Sequence, residues 1–371
     1  MTYGESDRPK TAWWIDTTAN AGKHTSTVTE RVNMSHGATR LVVLLLSLTA
    51  LAACTRLAKR ESDPIMGDFE GTFTPQGGQA VKAEAKVIAD ENNKYRVVIL
   101  YPAATDTATR IELTGRARDG EILILNTDWT GKAMVEPWRG TITITKDSLQ
   151  IAVEGAKGGK AEMKRVERKS PTLGAKPPAG AVVLLPFEEG QVTNLDQWTN
   201  KEWICQPDGS IQVHRGHNWT KERFGSFKLH LEFYVPFLPA ERGAARGNSG
   251  VYLQNCYEIL VLDSFGEPLS DRACGAIAGR KSPSGDAVLP PGQWQAFDID
   301  FRAPQFDEIS GQQTQAAVVT VLLNGVKIHD AVQMTGMTSG ALSMPDKKGP
   351  LRLQDHNDPV RFRNIWLVEK K

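Results

Sequence analysis

Apolar and polar residues alternate along most of the chain in short runs, and the period is two. Thr141-Ile142-Thr143-Ile144-Thr145 is the plainest case, with isoleucines on one face and threonines on the other, as in a half-buried strand. Comparable runs at 81–88, 95–101, 111–113, 122–125 and 149–153 are bounded by turn residues. Asp90-Glu91-Asn92-Asn93, Arg118-Asp119-Gly120 and Lys146-Asp147 are examples. A second series, richer in aromatics, falls at 227–235, 250–254, 257–262, 294–301, 317–323 and 351–354. Asn324-Gly325, between 318–323 and 326–329, is the signature of a two-residue hairpin. No segment keeps a helical period beyond two turns. The pattern predicts an all-β protein, with a small β-sandwich or barrel over 64–168 and a larger β-sandwich over 181–371. Three prolines and two glycines in the eleven residues from Ser170 to Gly180 cannot continue a ladder. They predict a semi-rigid linker over 169–180.

Composition agrees with two domains. A chain of 371 residues, 40% hydrophobic, is long enough for two cores and too apolar for wholesale disorder. Lys+Arg 44 against Asp+Glu 43 leaves no basic excess, which argues against nucleic acid as a partner.

One segment concerns address. Residues 41–53, LVVLLLSLTALAA, lie behind Arg40 and are shorter than the roughly 20 residues a membrane-spanning helix needs. They predict a signal peptide over 34–53. Leu51-Ala52-Ala53-Cys54 resembles the bacterial lipobox, so Cys54 is the expected lipidation site and membrane anchor. The expected location is the bacterial cell envelope, and Thr55 after the cysteine, rather than Asp, favours the outer membrane. Residues 1–33 are polar and mixed in charge, with Trp13-Trp14. They read as an upstream extension before a true start at Met34, or as a disordered tail. Cys205, Cys256 and Cys274 remain and allow one internal bridge at most, for which Cys256–Cys274 is the expected pair. Without a C-x-x-C pair, a cysteine-built zinc site is not expected.

Candidate chemistry lies where polar residues interrupt apolar strands. In Tyr257-Glu258-Ile259-Leu260-Val261-Leu262-Asp263 both faces are largely apolar, and Glu258 shares one with Leu260 and Leu262. A carboxylate there needs a partner, such as an arginine on a neighbouring strand, or an altered pKa. In Leu351-Arg352-Leu353-Gln354-Asp355-His356, alternation puts Arg352, Gln354 and His356 on one face. Such a row suits either a sugar-binding face or a solvated one. His356 and the following Asn357-Asp358-Pro359 fall at a strand end, where sites are commonly placed. Gly247-Asn248-Ser249-Gly250 reads on its own as a turn.

In order along the chain stand Gly247-Asn248-Ser249-Gly250-Val251-Tyr252, Tyr257-Glu258, Leu262-Asp263-Ser264 and Gly275-Ala276-Ile277. Gly292-Gln293-Trp294, Leu323-Asn324-Gly325-Val326, Leu353-Gln354-Asp355-His356 and Phe362-Arg363-Asn364-Ile365-Trp366 follow. Together they resemble the 3-keto-disaccharide hydrolase domain family over about 181–371. The resemblance implies a concanavalin A-like jelly-roll sandwich that cleaves or binds glycosides oxidised at C3, so an oxidised glycoside or disaccharide is the expected partner. Leu260 and Ala278 depart from the family pattern, which often has Gln and Tyr there. Such cleavage needs a base for the C2 proton and an electrophile for the enolate. Glu258 or His356 could be the base, and Arg352 or Arg363 the enolate stabiliser. Asp263 and Asp355 could orient them or, with His356, hold a divalent metal. Asn248, Tyr252, Gln354, Asp355 and Arg363 are the expected substrate contacts. The other reading of the same face is a carbohydrate-binding module without catalysis.

Overall fold

The computed structural model describes residues 61–370 apart from 104–107, 119–120, 125–138 and 155–157. The apolar run at 41–53, Cys54 and the end of the 122–125 run lie outside the described residues. Among the described residues no helix is long and apolar enough to cross a membrane.

The first domain is a closed antiparallel barrel in which each strand pairs with the next. Its strands are β1 (Gly67–Pro75), β2 (Val81–Ala89), β3 (Lys94–Tyr101), β4 (Thr109–Arg118), β5 (Glu121–Ile124), β6 (Arg139–Ile144), β7 (Ser148–Glu154) and β8 (Gly159–Val166). Pairing of β1 with β8, Asp68 opposite Val166 and Pro75 opposite Gly159, closes the ring and leaves no free edge. Alternation sends one face of each strand inward, as β7 shows by burying Leu149, Ile151 and Val153 and exposing the residues between. Phe69, Phe73, Val87, Val97 and Ile142 are also buried. Side chains can fill an eight-stranded barrel of this size.

The second domain is a sandwich. Its larger sheet runs β10 (Ile204–Cys205), β11 (Ile211–Gln212), β22 (Arg361–Glu369), β13 (Phe227–Tyr234), β16 (Trp294–Arg302), β19 (Ala317–Leu323) and β20 (Val326–Met334), with β9 (Val182–Leu185) also on β22. The smaller sheet runs β12 (Asn218–Trp219), β21 (Arg352–Leu353), β14 (Ser249–Leu253) and β15 (Tyr257–Val261). β17 (Gln305–Phe306) and β18 (Gln313–Gln315) form a separate ribbon. Tyr257 of the smaller sheet packs on Phe301 of the larger, ring centroids 6.0 Å apart, and Phe233 stacks on Phe297 at 4.8 Å. Asn324 and Gly325 have φ of 51° and 79° and join β19 to β20, the double left-handed turn the dipeptide predicts.

The segment predicted as a linker is a strap laid on the outer face of the larger sheet. Gly174 N–H donates to Glu232 (2.6 Å), Thr172 Oγ1 to Asp298 (2.8 Å), and the Ala175 carbonyl accepts from Asn364 (3.0 Å) and Trp366 (3.2 Å). Beneath it Glu232 is fully buried and also accepts from Asn364 (2.8 Å) and Arg363 (2.7 Å). Burial alone would raise its pKa. Hydrogen bonds from His230, Asn364, the Gly174 backbone and Arg363 outweigh burial and hold it down to about 2. A bulge between His230 and Glu232, with Asn364 at φ 48°, aims the Asn364 amide at this carboxylate.

Barrel and sandwich meet through buried charges. Asp90, in the β2–β3 turn, faces Arg96 (3.2 Å), Arg242 (3.2 Å) and Arg246 (3.4 Å), and Arg246 Nε also donates to Asp263 (2.5 Å). Arg96 reaches Glu267 (2.7 Å), and Lys86 reaches Asp286 (3.0 Å).

The expected Cys256–Cys274 bridge is absent, and both residues are buried free thiols. Cys256 precedes β15, whereas Gly275 N–H donates to the carbonyl of Leu260 near the far end of that strand. Four residues of extended chain, roughly 13 Å at 3.3 Å each, separate Cys256 from Leu260. A disulfide needs Cα atoms within about 7 Å.

Candidate active site on the smaller sheet

Register places four chemically distinct side chains in one row across the smaller sheet. Trp219 lies opposite Arg352, Arg352 opposite Tyr252, and Tyr252 opposite Glu258. Directly opposed residues share a face. Here it is the outer one, because Val251, Leu253, Ile259 and Leu353 fill the core behind it. The Arg352 guanidinium lies 3.5 Å over the Tyr252 ring, and the Tyr252 hydroxyl is 2.8 Å from Glu258 Oε2. Glycine at 250 is required by this row, since a Cβ there would collide with Glu258 Oε1.

The Tyr252 hydroxyl also lies 2.9 Å from the carbonyl of Ser339. A phenol has one proton and cannot donate to both oxygens. Both contacts are satisfied when Glu258 is protonated and donates to Tyr252, which in turn donates to Ser339. The electrostatics agree. Burial pushes the Glu258 pKa up to about 7, against the lowering effects of Tyr252 and Arg352. Burial and the Glu258 charge together push the Tyr252 phenol up, so it stays protonated.

Arg352 is fully buried. Nη2 donates to the Gly340 carbonyl (2.7 Å), while Nε and Nη1 are buried without a hydrogen-bond partner. Gln354 Oε1 is likewise buried without one, and Gln354 Nε2 lies 3.5 Å from the Tyr252 hydroxyl. Each unpaired buried donor costs roughly 1–3 kcal/mol, and an oxygen-rich ligand would remove that cost. The segment 338–343 thus caps the row: Thr338 Oγ1 accepts from Glu258 N–H (2.9 Å), and Ser343 Oγ holds Asn255 (2.7 Å).

The remaining candidates from the sequence are placed as follows. His356 is exposed at the rim. The Asp355 carboxylate accepts from the backbone of Gly216 (2.6 Å) and Asn357 (2.7 Å), so it shapes the loop. Asn248 donates through its backbone to Asp358 (2.6 Å) and through Nδ2 to Ala244 (3.0 Å), while its Oδ1 is buried without a partner. Asp263 is engaged with Arg246 at the barrel junction and is not in the row. Arg363 belongs to the Glu232 cluster on the outer face of the other sheet, so a core of about 10 Å separates it from Glu258. Asp263, Asp355 and His356 are therefore not assembled as a ligand set. Among the described residues no three His, Cys, Asp or Glu side chains are grouped to hold a metal ion. Trp219, His217 and the capping segment carried no periodic signal, because β12 is two residues long and 338–343 is loop.

Fold and site define a sandwich of the jelly-roll class with a polar row on one sheet. Residues 184–368 match the 3-keto-alpha-glucoside-1,2-lyase-like domain family, and the chain belongs to it. Three crystal structures from Parabacteroides distasonis ATCC 8503, each provisionally described as a glycosyl hydrolase, are similar to it. The first is 33% identical, with a TM-score of 0.46, over 52% of this chain and 85% of that one. The second is 22% identical, TM-score 0.36, over 51% and 99%. The third is 18% identical, TM-score 0.39, over 52% and 94%. No curated protein matches the sequence.

Proposed function

We propose that the C-terminal domain cleaves glycosides oxidised at C3, with Glu258 as the base and Arg352 as the enolate stabiliser. The observation that carries this is the pair of unpartnered, buried Arg352 donors beside a carboxyl group that titrates near neutrality. A ketone at C3 acidifies the C2 proton. Glu258 in its carboxylate form takes that proton, the electrons move into the C3 oxygen, and Arg352 donates hydrogen bonds to the enolate. Collapse of the enolate forms a C1–C2 double bond and expels the C1 aglycone oxygen, which takes up a proton. Water then adds its oxygen to C1 and a proton to C2, completing net hydrolysis. Substrate entry displaces the carbonyls of Ser339 and Gly340 from Tyr252 and Arg352. Tyr252 is then free to donate to Glu258, which favours the carboxylate needed as base.

The test is release of aglycone from 3-keto-glucosides. Wild-type protein releases it, and Glu258→Gln and Arg352→Lys reduce release by at least about a hundredfold. Lysine keeps the charge but loses the planar fork of donors. Binding without release by the wild type would instead favour a carbohydrate-binding module.

We also propose export and lipidation at Cys54, on the strength of the run at 41–53 and the Leu51-Ala52-Ala53-Cys54 motif. The predicted location is the cell envelope, most simply the outer membrane. Fatty-acid labelling that Cys54→Ala abolishes would support this, and unlabelled wild type would refute it.

A further inference from the structure

Resting on the activity proposed above, we infer that His217 and Trp219 seat the leaving group, an aromatic aglycone or second sugar ring. The chemistry at C2 uses neither residue, yet both sit at the open end of the catalytic row. Glu258, Tyr252 and Arg352 are buried beneath the capping segment, whereas His217, Trp219 and Gln354 are half-buried. A second row runs beside the first on the same face. Gly250 lies opposite Leu260, and its carbonyl accepts from Gln354 N–H (2.9 Å). The Glu258 carboxyl group lies directly over Gly250, in the space a Cβ there would take. From β14 to β12 is two strand spacings, roughly 10 Å, which leaves room for one further ring beyond the oxidised one.

The end of that span has the chemistry of a ring platform. The Trp219 indole is fixed by its Nε1 donating to Asn255 (3.2 Å), and His217 meets it edge-on with centroids 5.8 Å apart. His217 Nδ1 accepts from Asp355 N–H (3.0 Å), so the neutral ring carries its proton on Nε2 as a donor for a hydroxyl. Burial and the Arg352 charge lower the His217 pKa, which keeps it neutral near pH 7. An apolar ring face with one donor suits a sugar or aryl ring.

The experiment compares 3-keto-glucosides carrying methyl, p-nitrophenyl and glucosyl leaving groups, on wild type, Trp219→Ala and Trp219→Phe. Trp219→Ala should lose about tenfold more kcat/KM on the p-nitrophenyl and glucosyl substrates than on the methyl one, mainly through KM. Trp219→Phe should recover most of that difference. An equal loss on all three substrates, or no loss, would overturn the assignment. Should the wild type turn over none of them, the proposed activity fails, and titration calorimetry with unoxidised glucosyl-glucose and methyl glucoside decides the seat separately. Disaccharide binding that Trp219→Ala weakens about tenfold more than methyl glucoside binding supports it; absent or unaltered binding overturns it.

Discussion

The Tyr252 hydroxyl bridges the Glu258 carboxyl group, 2.8 Å away on the neighbouring strand, and the carbonyl of Ser339, 2.9 Å away on the capping segment. The phenol has one proton for two neighbouring oxygens, so the protonation of Glu258 and the position of the cap are linked. In the capped arrangement the carboxyl group is neutral, and lifting the cap releases the Tyr252 proton toward it.

The pH dependence of turnover follows. Glu258 acts as base only when ionised, and burial raises its pKa to about 7. kcat/KM should therefore rise with pH through about 7 and level off above it. In the substrate complex, where Tyr252 donates to Glu258, Tyr252→Phe removes a hydrogen bond that favours the carboxylate and should move the limb of kcat to higher pH. A rate that is flat between pH 5 and 8 would contradict the assignment.

Stability carries the same signature. The folded pKa of Glu258 lies above its ordinary value of 4.5, so the native state binds this proton more tightly than the unfolded chain. Its contribution is intact below about pH 4.5 and is lost as pH rises through about 7. Glu258→Gln cannot ionise, and it should be more stable than wild type at pH 8 by up to about 3 kcal/mol. At pH 4.5 the difference should shrink toward zero. Denaturant titrations at the two pH values measure it.

Two glycines are predicted to be intolerant for different reasons. An alanine Cβ at 250 would strike the Glu258 carboxylate, whereas at Gly340, where φ is +74°, it would lie 2.6 Å from the Tyr252 hydroxyl. Gly250→Ala should abolish turnover and lower stability by about 1–3 kcal/mol. Gly340→Ala should disturb the cap and change KM and kcat together. Steady-state kinetics and melting curves distinguish the two.

Arg246 and Asp263 should matter for stability. Arg246→Met strands the buried carboxylate of Asp263, while Asp90 keeps Arg96 and Arg242, and should cost about 3–5 kcal/mol. The burial-raised pKa of Asp263 agrees with a desolvated structural carboxylate. Asp263→Asn should lower the melting temperature while the folded fraction keeps its kcat. A large kcat loss in a protein of unaltered stability would return Asp263 to the chemistry.

Glu232→Gln should release the strap. The Glu232 pKa is held near 2, so its stabilising contribution is present above about pH 4.5 and is lost as pH falls toward 2. The variant should be less stable than wild type at pH 7, with the gap closing in acid. Proteolysis near residue 174 should accelerate as the strap loosens.

Most of the strands were legible because their residues alternate. Those missed were β1, β8, β9 and β22, together with the two- and three-residue strands β10, β11, β12, β17 and β18. β1 and β8 have glycine and charged residues where alternation needs large apolar ones, as Gly71 and Arg165 show, and they are the pair that closes the barrel. The Asn364 bulge breaks the period of β22. Glu258, Arg352 and Gln354 stood out as polar residues in apolar strands, Tyr252 came only with the family resemblance, and register gathers all four. Asp263 and Arg363 had the same local signature and serve other partners. Only long-range pairing separates the two cases, since a buried carboxylate needs a partner wherever it lies.

The most direct test of the central claim is cleavage of a 3-keto-glucoside in D₂O, with NMR inspection of C2 in the released sugar. Elimination and rehydration predict product bearing deuterium at C2, formed by the wild type and not by Glu258→Gln. Release with the C2 proton retained, or release undiminished by Glu258→Gln, would contradict the account.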